Sequence, residues 1–384
     1  MHTNLLGIRI ARVSTVPFFI TTQLGGQIEY LTRVGAHVTV VTSSGPELKR
    51  FSAQNVVIEI IEIPRSISPL KDTMALFRLW RCLRRSRFDI VHSTTPKAGL
   101  LCAVAGLLAG VPVRLHTFTG QPWVNMTGAM RRVARWADCL IGWLNTRCYA
   151  DSESQRDFLI AEGLVSPEKM AVLGKGSLAG VDMTRFNAAR WSAGEKTALR
   201  RELNLREGGC VILFVGRVTR DKGVRELLEA FDELLKGGYD ADLLLVGPLD
   251  DERGGAVDLS GLPRVHHVGY TDCPERYMAV ADFLCLPSYR EGFGTVVIEA
   301  AAMGLPTVGT RIYGLTDAVE DGATGVLVPP RDTAALAGVM RNMLDAPDRL
   351  ASMGRAARAR CGELFDADKV SAFVAEEYAR LISR

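Results

Sequence analysis

Two segments carry charged residues at spacings suited to gripping a phosphorylated polyol. In LPSYREGFGTVVIEAAAMGLPTVGT, residues 286–310, Glu291 is followed at once by Gly292, Phe293, Gly294 and Thr295, and Glu299 comes about one helical turn later. Glycines let ligand oxygens approach main-chain N–H groups, and a helix opening at Thr295 offers the positive end of its dipole. A carboxylate accepts hydrogen bonds from two vicinal hydroxyls, which is how a sugar or a ribose is held. Without a ligand, Glu291 would be a helix cap and Glu299 a solvated helix residue. The flanking VVI and AAAMG are apolar, however, and an unpaired charge in such surroundings costs on the order of several kcal/mol. In FVGRVTRDKG, residues 214–223, an apolar strand ends at Val215, Gly216 lets the chain turn, and Arg217 and Lys222 stand at the mouth of the next helix. Two cations at a helix start suit a pyrophosphate, whereas a lysine there without an anion opposes the dipole. The spacing is not that of a Walker A loop.

The first half offers fewer such groups. In VHSTTPKAGLL, residues 91–101, His92 ends a strand, Pro96 opens a helix and Lys97 lies in its first turn. Lys97 is either a binder of an anionic acceptor group or an incidental helix-start lysine. In RLHTFTGQPW, residues 114–123, His116 closes an apolar strand, and a site histidine and a satisfied core histidine both fit that placement. In TQLGGQIEY, Gly25 and Gly26 read as a permissive turn before a helix. Gly174, Gly176 and Gly180 half-resemble a dinucleotide fingerprint, with the third glycine one place late. Asp240 and Asp242 mimic an acidic metal motif but precede a strand, where a capping role for the preceding helix is expected. No metal and no cofactor is expected.

These residues need a scaffold, and the chain alternates strand and helix throughout, the signature of a parallel sheet covered on both faces. Strands are expected at 7–13, 37–43, 56–63, 88–93, 112–118 and 169–174, with helices near 26–35, 71–87, 97–109 and 128–147. Residues 175–195 contain Gly176, Gly180 and Gly194 and little periodicity, which places a domain boundary there. A second series opens at 210–217 and continues through DLLLVGP, VHHVGY, FLCLPS, LPTVGT and TGVLVPP, with helices near 222–237, 295–303, 332–344, 347–363 and 366–382. The reading is α/β, with two doubly wound Rossmann-like domains facing a cleft. Residues 1–180 form the acceptor-side domain and 181–365 the donor domain, and the helix 366–384 crosses back to the first. Ligands of such sheets bind outside the carboxyl ends of the strands.

The run E-G-F-G-T-V-V-I-E-A, together with F-V-G-R-V-T-R-D-K-G, resembles retaining glycosyltransferase family 4, and in particular its bacterial polysaccharide-biosynthesis members for lipopolysaccharide or capsule. LGKGSLAGVDMTRF, FLCLPSYREGFG and DGATGVLVPPRD resemble linking segments of that family, and LGGQIEYLTRVGAHVTVVT, DIVHSTTPKAGLL and VPVRLHTFTGQPW match it more loosely. The resemblance implies a GT-B fold, a nucleotide-sugar donor, transfer with retention and no metal. It implies that Arg217 and Lys222 hold the donor diphosphate and that Glu299 holds the ribose hydroxyls. Glu291 and the Gly292–Thr295 backbone would hold the transferred sugar and nearby phosphate oxygens. It implies a role for Gly25 and Gly26 near the donor phosphate or the acceptor. Many relatives carry a histidine just before the glycine that is Gly120 here, but Thr119 stands there; Thr119 joins Gly25, Gly26 and Lys97 as an expected acceptor or phosphate contact, and His116 joins Glu291, Arg217 and Lys222 as an expected catalytic residue.

The bulk numbers agree with a globular chain: 384 residues, 47% hydrophobic and 23% charged. The net charge of +3 is unevenly placed, with 22 Lys and Arg against 13 Asp and Glu in residues 1–185, and 24 against 30 in the remainder. No two of the eight cysteines form a C-x-x-C pair, which argues against a zinc site or a disulfide framework and for a reducing compartment. The apolar N-terminus is broken by Arg9 and Arg12 and reads as a core strand, and the longest uncharged stretch, 98–113, is too short to span a bilayer. Residues 74–87 and 128–147 combine arginines with Trp80, Trp136 and Trp143, a composition that can lie in the headgroup layer. The expected setting is the cytoplasm, with peripheral contact on the cytoplasmic face of the inner membrane. The expected partners are a nucleotide-sugar, with UDP as the default, and a saccharide or polyprenyl-diphosphate-linked acceptor, with no nucleic acid. Two alternatives stand beside this reading: a sugar-nucleotide epimerase of GT-B fold, and a non-catalytic nucleotide-sugar-binding subunit.

Overall fold

The computed structural model describes residues 4–53, 55–249, 259 and 261–383. The chain forms two units, Met1–Gly180 with Ala367–Arg384, and Val181–Asp366.

In the first unit, β1 (Arg9–Val13), β2 (His37–Thr42), β3 (Val57–Ile60), β4 (Ile90–Ser93), β5 (Val113–Phe118), β6 (Arg147–Ala150) and β7 (Met170–Val172) make one parallel sheet in the order β3-β2-β1-β4-β5-β6-β7. Its helices are α1 (Pro17–Gln23), α2 (Gly25–Arg33), α3 (Pro69–Ser86), α4 (Pro96–Ala109), α5 (Gly128–Leu144) and α6 (Glu153–Ala161). In the second unit, β8 (Cys210–Val215), β9 (Ala241–Val246), β10 (Val265–Val268), β11 (Phe283–Leu286), β12 (Thr307–Thr310) and β13 (Gly325–Val328) run parallel in the order β10-β9-β8-β11-β12-β13. Around them lie α7 (Ala193–Glu202), α8 (Val224–Lys236), α9 (Pro274–Met278), α10 (Thr295–Ala302), α11 (Leu315–Ala318), α12 (Thr333–Leu344) and α13 (Pro347–Leu364). The last helix, α14 (Ala367–Ile382), belongs to the first unit.

Strand periodicity sorts the first core into two layers. Ile10, Val38, Ile90 and Leu115 pack with Ile28 and Leu31 of α2 and with Val374, Ala375 and Tyr378 of α14. Ala11, Val13 and Val91 face the other way, onto Leu79 and Leu83 of α3 and Leu101 and Cys102 of α4. In the second unit both parities are sealed: Ile212, Leu213, Leu243, Leu244 and Leu284 are all fully buried, as a parallel sheet covered on both faces requires. Each sheet reverses its order once, between β1 and β4 and between β8 and β11. At such a reversal, ligands of open α/β sheets bind beyond the strands' carboxyl ends.

Three local expectations change. Gly25 and Gly26 do not form a turn before a helix: Gly25 opens α2, only Leu24 separates α2 from α1, and Leu24 is itself in the right-handed helical region. The expected helix 128–147 stops at Leu144, because Asn145 turns extended and bonds back to the Ile141 carbonyl, while Lys169 Nζ reaches the Trp143 and Asn145 carbonyls at 2.7 and 3.0 Å. A lysine there satisfies the helix's last acceptors and its negative end, and the next residues are released to form β6. Asp240 and Asp242 cap no helix. Asp242 takes Arg264 and His266, and Asp240 takes Arg264 and Arg206.

Candidate functional site

The carboxyl ends of β8 and β11 bring the two charged segments together. β8 ends at Val215, and a 3-10 turn over Arg220–Lys222 leads through Gly223 into α8. Gly223 sits at φ +69°, and a Cβ there would lie 2.0 Å from the Pro287 carbonyl oxygen. Only glycine lets the first loop lie this close to the second. The Tyr289 amide then donates to the Asp221 carbonyl at 2.9 Å. Lys222 Nζ meets Glu291 Oε1 at 2.6 Å, and Ser288 Oγ donates to the same oxygen at 2.8 Å. Both charged side chains are largely buried, at 18% and 14% exposure.

A second cluster lies beside them. Arg217 Nη2 and Arg290 Nη2 each stand 3.9 Å from Asp221 Oδ2, and Thr219 Oγ1 donates to Asp221 Oδ1 at 2.5 Å. Burial pushes the Asp221 carboxyl up, but the Thr219 hydroxyl and the Lys222, Arg217 and Arg290 charges bring it below its ordinary value. A fixed carboxylate thus spaces three cations within one loop pair.

α10 opens at Gly294, which takes φ +81°, with no side-chain cap and no acidic residue in its first turn. Its first N–H groups and dipole therefore favour an anion. Phe293 is buried edge-on against Phe365, with ring centroids 5.2 Å apart, so only its main chain borders the loop. Glu299, the fifth residue of α10, is half-buried. Burial raises its carboxyl to about 7, with Arg185 drawing it down and Glu275 pushing it up. Arg185 is forked onto Glu275, with Nε and Nη2 both at 2.9 Å. The Glu299 carboxyl takes no hydrogen bond among the described residues.

The first-unit candidates are placed differently. His116 is 1% exposed, its Nδ1 lies 2.9 Å from Ser93 Oγ, and its ring sits edge-on to Phe118 at 4.6 Å. Burial lowers its imidazole to about 3. It is a neutral core histidine against α4, where Gly99 makes room for the ring, and a catalytic role does not fit that enclosure. Lys97 is tied to Asp72 Oδ1 at 2.6 Å and to the Ser66 carbonyl at 2.6 Å, so it clamps α4 to the start of α3. Gly25 lies under the Arg50 guanidinium and Gly26 is exposed on α2. Thr119 follows β5, is half-buried, and precedes Gly120 at φ +105°.

Sequence reasoning gave no role to Asp221, Ser288, Arg290, Arg185 or Glu275. Asp221 and Arg290 lie inside the quoted motifs, and a lone acid between cations was a usable signal. Arg185 and Glu275 are 90 residues apart, and nothing in the sequence joins them. Among the described residues no cluster of three His, Cys, Asp or Glu could hold a metal, and no helix is long and apolar enough to cross a membrane.

Comparison with known proteins sets this geometry in context. Residues 195–360 match the family model "Glycosyl transferases group 1" and residues 20–176 match "Glycosyl transferase 4-like domain". The capsular polysaccharide biosynthesis glycosyltransferase CapM of Staphylococcus aureus is 30% identical over 346 residues, 88% of this chain and 89% of that protein. The UDP-Gal:alpha-D-GlcNAc-diphosphoundecaprenol alpha-1,3-galactosyltransferase of Escherichia coli is 26% identical over 288 residues, 73% of each chain. Among solved structures, Anabaena HepE in complex with UDP-glucose superposes with a TM-score of 0.80 at 19% identity, over 96% of this chain and 99% of that one. WaaG, a glycosyltransferase of lipopolysaccharide biosynthesis, gives 0.72 at 17% identity, with 96% and 99% covered. At those identities the two structures speak for the fold alone.

Proposed function

This chain belongs to the group 1 glycosyltransferases with a 4-like N-terminal domain and the GT-B fold, and from that premise we propose that it moves a sugar, with retention and without a metal, from a UDP-sugar to a polyprenyl-diphosphate-linked saccharide. The observation that carries the reading is the assembly of Arg217, Lys222, Arg290, Glu291 and the open start of α10 at the ends of adjacent strands. The donor diphosphate lies against Arg217, Lys222 and the first N–H groups of α10. Glu299 accepts from the ribose hydroxyls. Glu291, held by Ser288 and Lys222, accepts from the transferred sugar.

In the transfer, the bond from the anomeric carbon to the phosphate oxygen breaks and a bond to the acceptor oxygen forms. The acceptor's proton passes to the departing diphosphate. Attack from the side the phosphate leaves gives retention. Negative charge grows on the leaving oxygens, where fixed cations are typically worth roughly a few kcal/mol each. No carboxylic acid need protonate the leaving group, because a diphosphate between two cations departs as an anion.

The acceptor class rests on the relatives. CapM is named for capsular polysaccharide biosynthesis and the E. coli relative for a diphosphoundecaprenol substrate. The first unit suits a membrane-borne acceptor, with α4 packed against both α3 and α5. α3 exposes Leu70, Met74 and Phe77 among its arginines, and α5 exposes Met130, Val133, Trp136 and Trp143.

A donor screen with a lipid-linked acceptor, reading released nucleoside diphosphate and product anomer, tests the reading. Lys222→Ala and Glu299→Ala are each expected to lower transfer at least ~100-fold, roughly 3 kcal/mol, with unchanged far-ultraviolet circular dichroism. Full activity in either variant, or an inverted product, would contradict it.

A further inference from the structure

On the α2/α14 side of the first sheet, the inward positions of neighbouring strands carry Arg12 of β1, His92 of β4, Thr117 of β5 and Tyr149 of β6 where Ile10, Ile90 and Leu115 would predict apolar residues. Arg12 is fully buried. Its Nη1 donates to Tyr378 OH at 2.5 Å and to His92 Nδ1 at 2.8 Å. A guanidinium only donates, so His92 Nδ1 accepts. His92 Nε2 therefore carries the proton and donates to Thr117 Oγ1 at 2.7 Å. The imidazole is held neutral by its burial and by the Arg12 charge. Arg12 thus meets neutral groups only, and its Nε and Nη2 have no hydrogen-bond partner.

Arg12 borders a cavity of ≈ 20 Å³ between the sheet, α2 and α14, lined also by Gln27, His92, Asp151 and Ser177. Every lining residue belongs to the first unit. The space takes one or two water-sized bodies and is too small for phosphate or sulfate. The nearby carboxylate of α14, Glu377, is matched to Arg147 at 3.0 Å and Arg380 at 2.6 Å. Asp151 is buried with Oδ1 unbonded, and burial raises its carboxyl to about 8, which favours the neutral acid over the carboxylate. A buried cation without a counter-charge is strongly disfavoured.

We propose that this chamber is an internal site for one small monovalent anion of the chloride class, held by Arg12 Nε and Nη2. The anion completes the charge balance behind the β1/β4 reversal and steadies the contact of Tyr378, and with it α14, against the sheet.

The test compares thermal unfolding of the full chain in sodium chloride, sodium bromide and sodium gluconate at one ionic strength, together with anomalous diffraction from bromide-soaked wild-type crystals. Chloride and bromide are expected to raise the midpoint saturably over gluconate, as a ligand of the folded state does. Arg12→Met removes the halide difference, and a bromide peak lies within hydrogen-bonding distance of Arg12 Nε or Nη2. Equal midpoints in the three salts, or no peak beside Arg12, overturn the proposal. Both wild-type measurements decide it even where Arg12→Met does not fold, and equal midpoints with no peak would mean that the chamber holds water alone.

Discussion

Burial lifts the Glu299 carboxyl to about 7 from an ordinary 4.5, with Arg185 and Glu275 acting on it in opposite senses. Between those values the unfolded chain has released a proton that the fold retains. The folded state binds more protons there, so stability falls as pH rises through 7. The full cost, reached above pH 7, is about 3 kcal/mol. Glutamine carries no such cost. Glu299→Gln is therefore expected to be more stable than wild type at pH 8 and close to it at pH 4.5, read from urea midpoints. The same variant should bind UDP about 10- to 100-fold more weakly, because charge-assisted bonds to hydroxyls are lost. A residue kept for folding would show the reverse: stability lost at both pH values and binding untouched. Wild-type UDP affinity should itself rise from pH 6 to pH 8 as the carboxylate forms, and a flat calorimetric profile would remove Glu299 from the ribose.

At the scale of the element, the alternation of strand and helix was legible because strands buried on both faces read as unbroken apolar runs, as in CVILFV and DLLLV. β6 was not legible: its four residues RCYA adjoin an amphipathic helix, and it is the extended Asn145 with the Lys169 cap that ends that helix. α7 was not expected, and only its first three residues lie in the stretch 175–195 read as loop, although Ser192 and Glu195 form a capping box visible in the sequence. In the site, the Lys222–Glu291 contact joins segments that were each legible alone, because both leave adjacent strand ends. Whether His116 faced a ligand or the core was not legible, since that depends on which helix covers its face of β5. The approach of the two site loops rests on Gly223. Gly223→Ala places a methyl group into the Pro287 carbonyl at a left-handed φ, and is expected to cost about 3 kcal/mol of stability. It should also abolish transfer by separating Lys222 from Glu291. A variant with wild-type stability and rate would mean that the loops need not touch.

For the whole molecule, the uneven charge is the widest feature. Residues 1–185 hold nine more cations than anions, while the remainder holds six more anions. In the first unit that charge accompanies unusual apolar exposure. Trp136 and Trp143 of α5 are 63% and 73% exposed, Leu70 of α3 is 86% exposed and Phe77 57%, beside Arg131 and Arg132 on α5 and Arg78 and Arg81 on α3. Tryptophans are normally packed, and exposed ones bordered by arginines suit the headgroup layer, with each basic residue near an anionic surface worth about 1 kcal/mol. Vesicles with a third of phosphatidylglycerol should therefore sediment the wild-type chain at low salt, and neutral vesicles should do so weakly. Raising salt to 0.5 M should release much of it, since the charge contribution is screened while the apolar one is not. Replacing Trp136 and Trp143 together by serine should lower partitioning about 10-fold or more and leave turnover of a water-soluble acceptor analogue intact, because neither side chain belongs to the donor site. If the double variant partitioned like wild type, or if neutral and anionic vesicles bound equally, the face would serve something other than a lipid surface and the acceptor would have to be sought in solution.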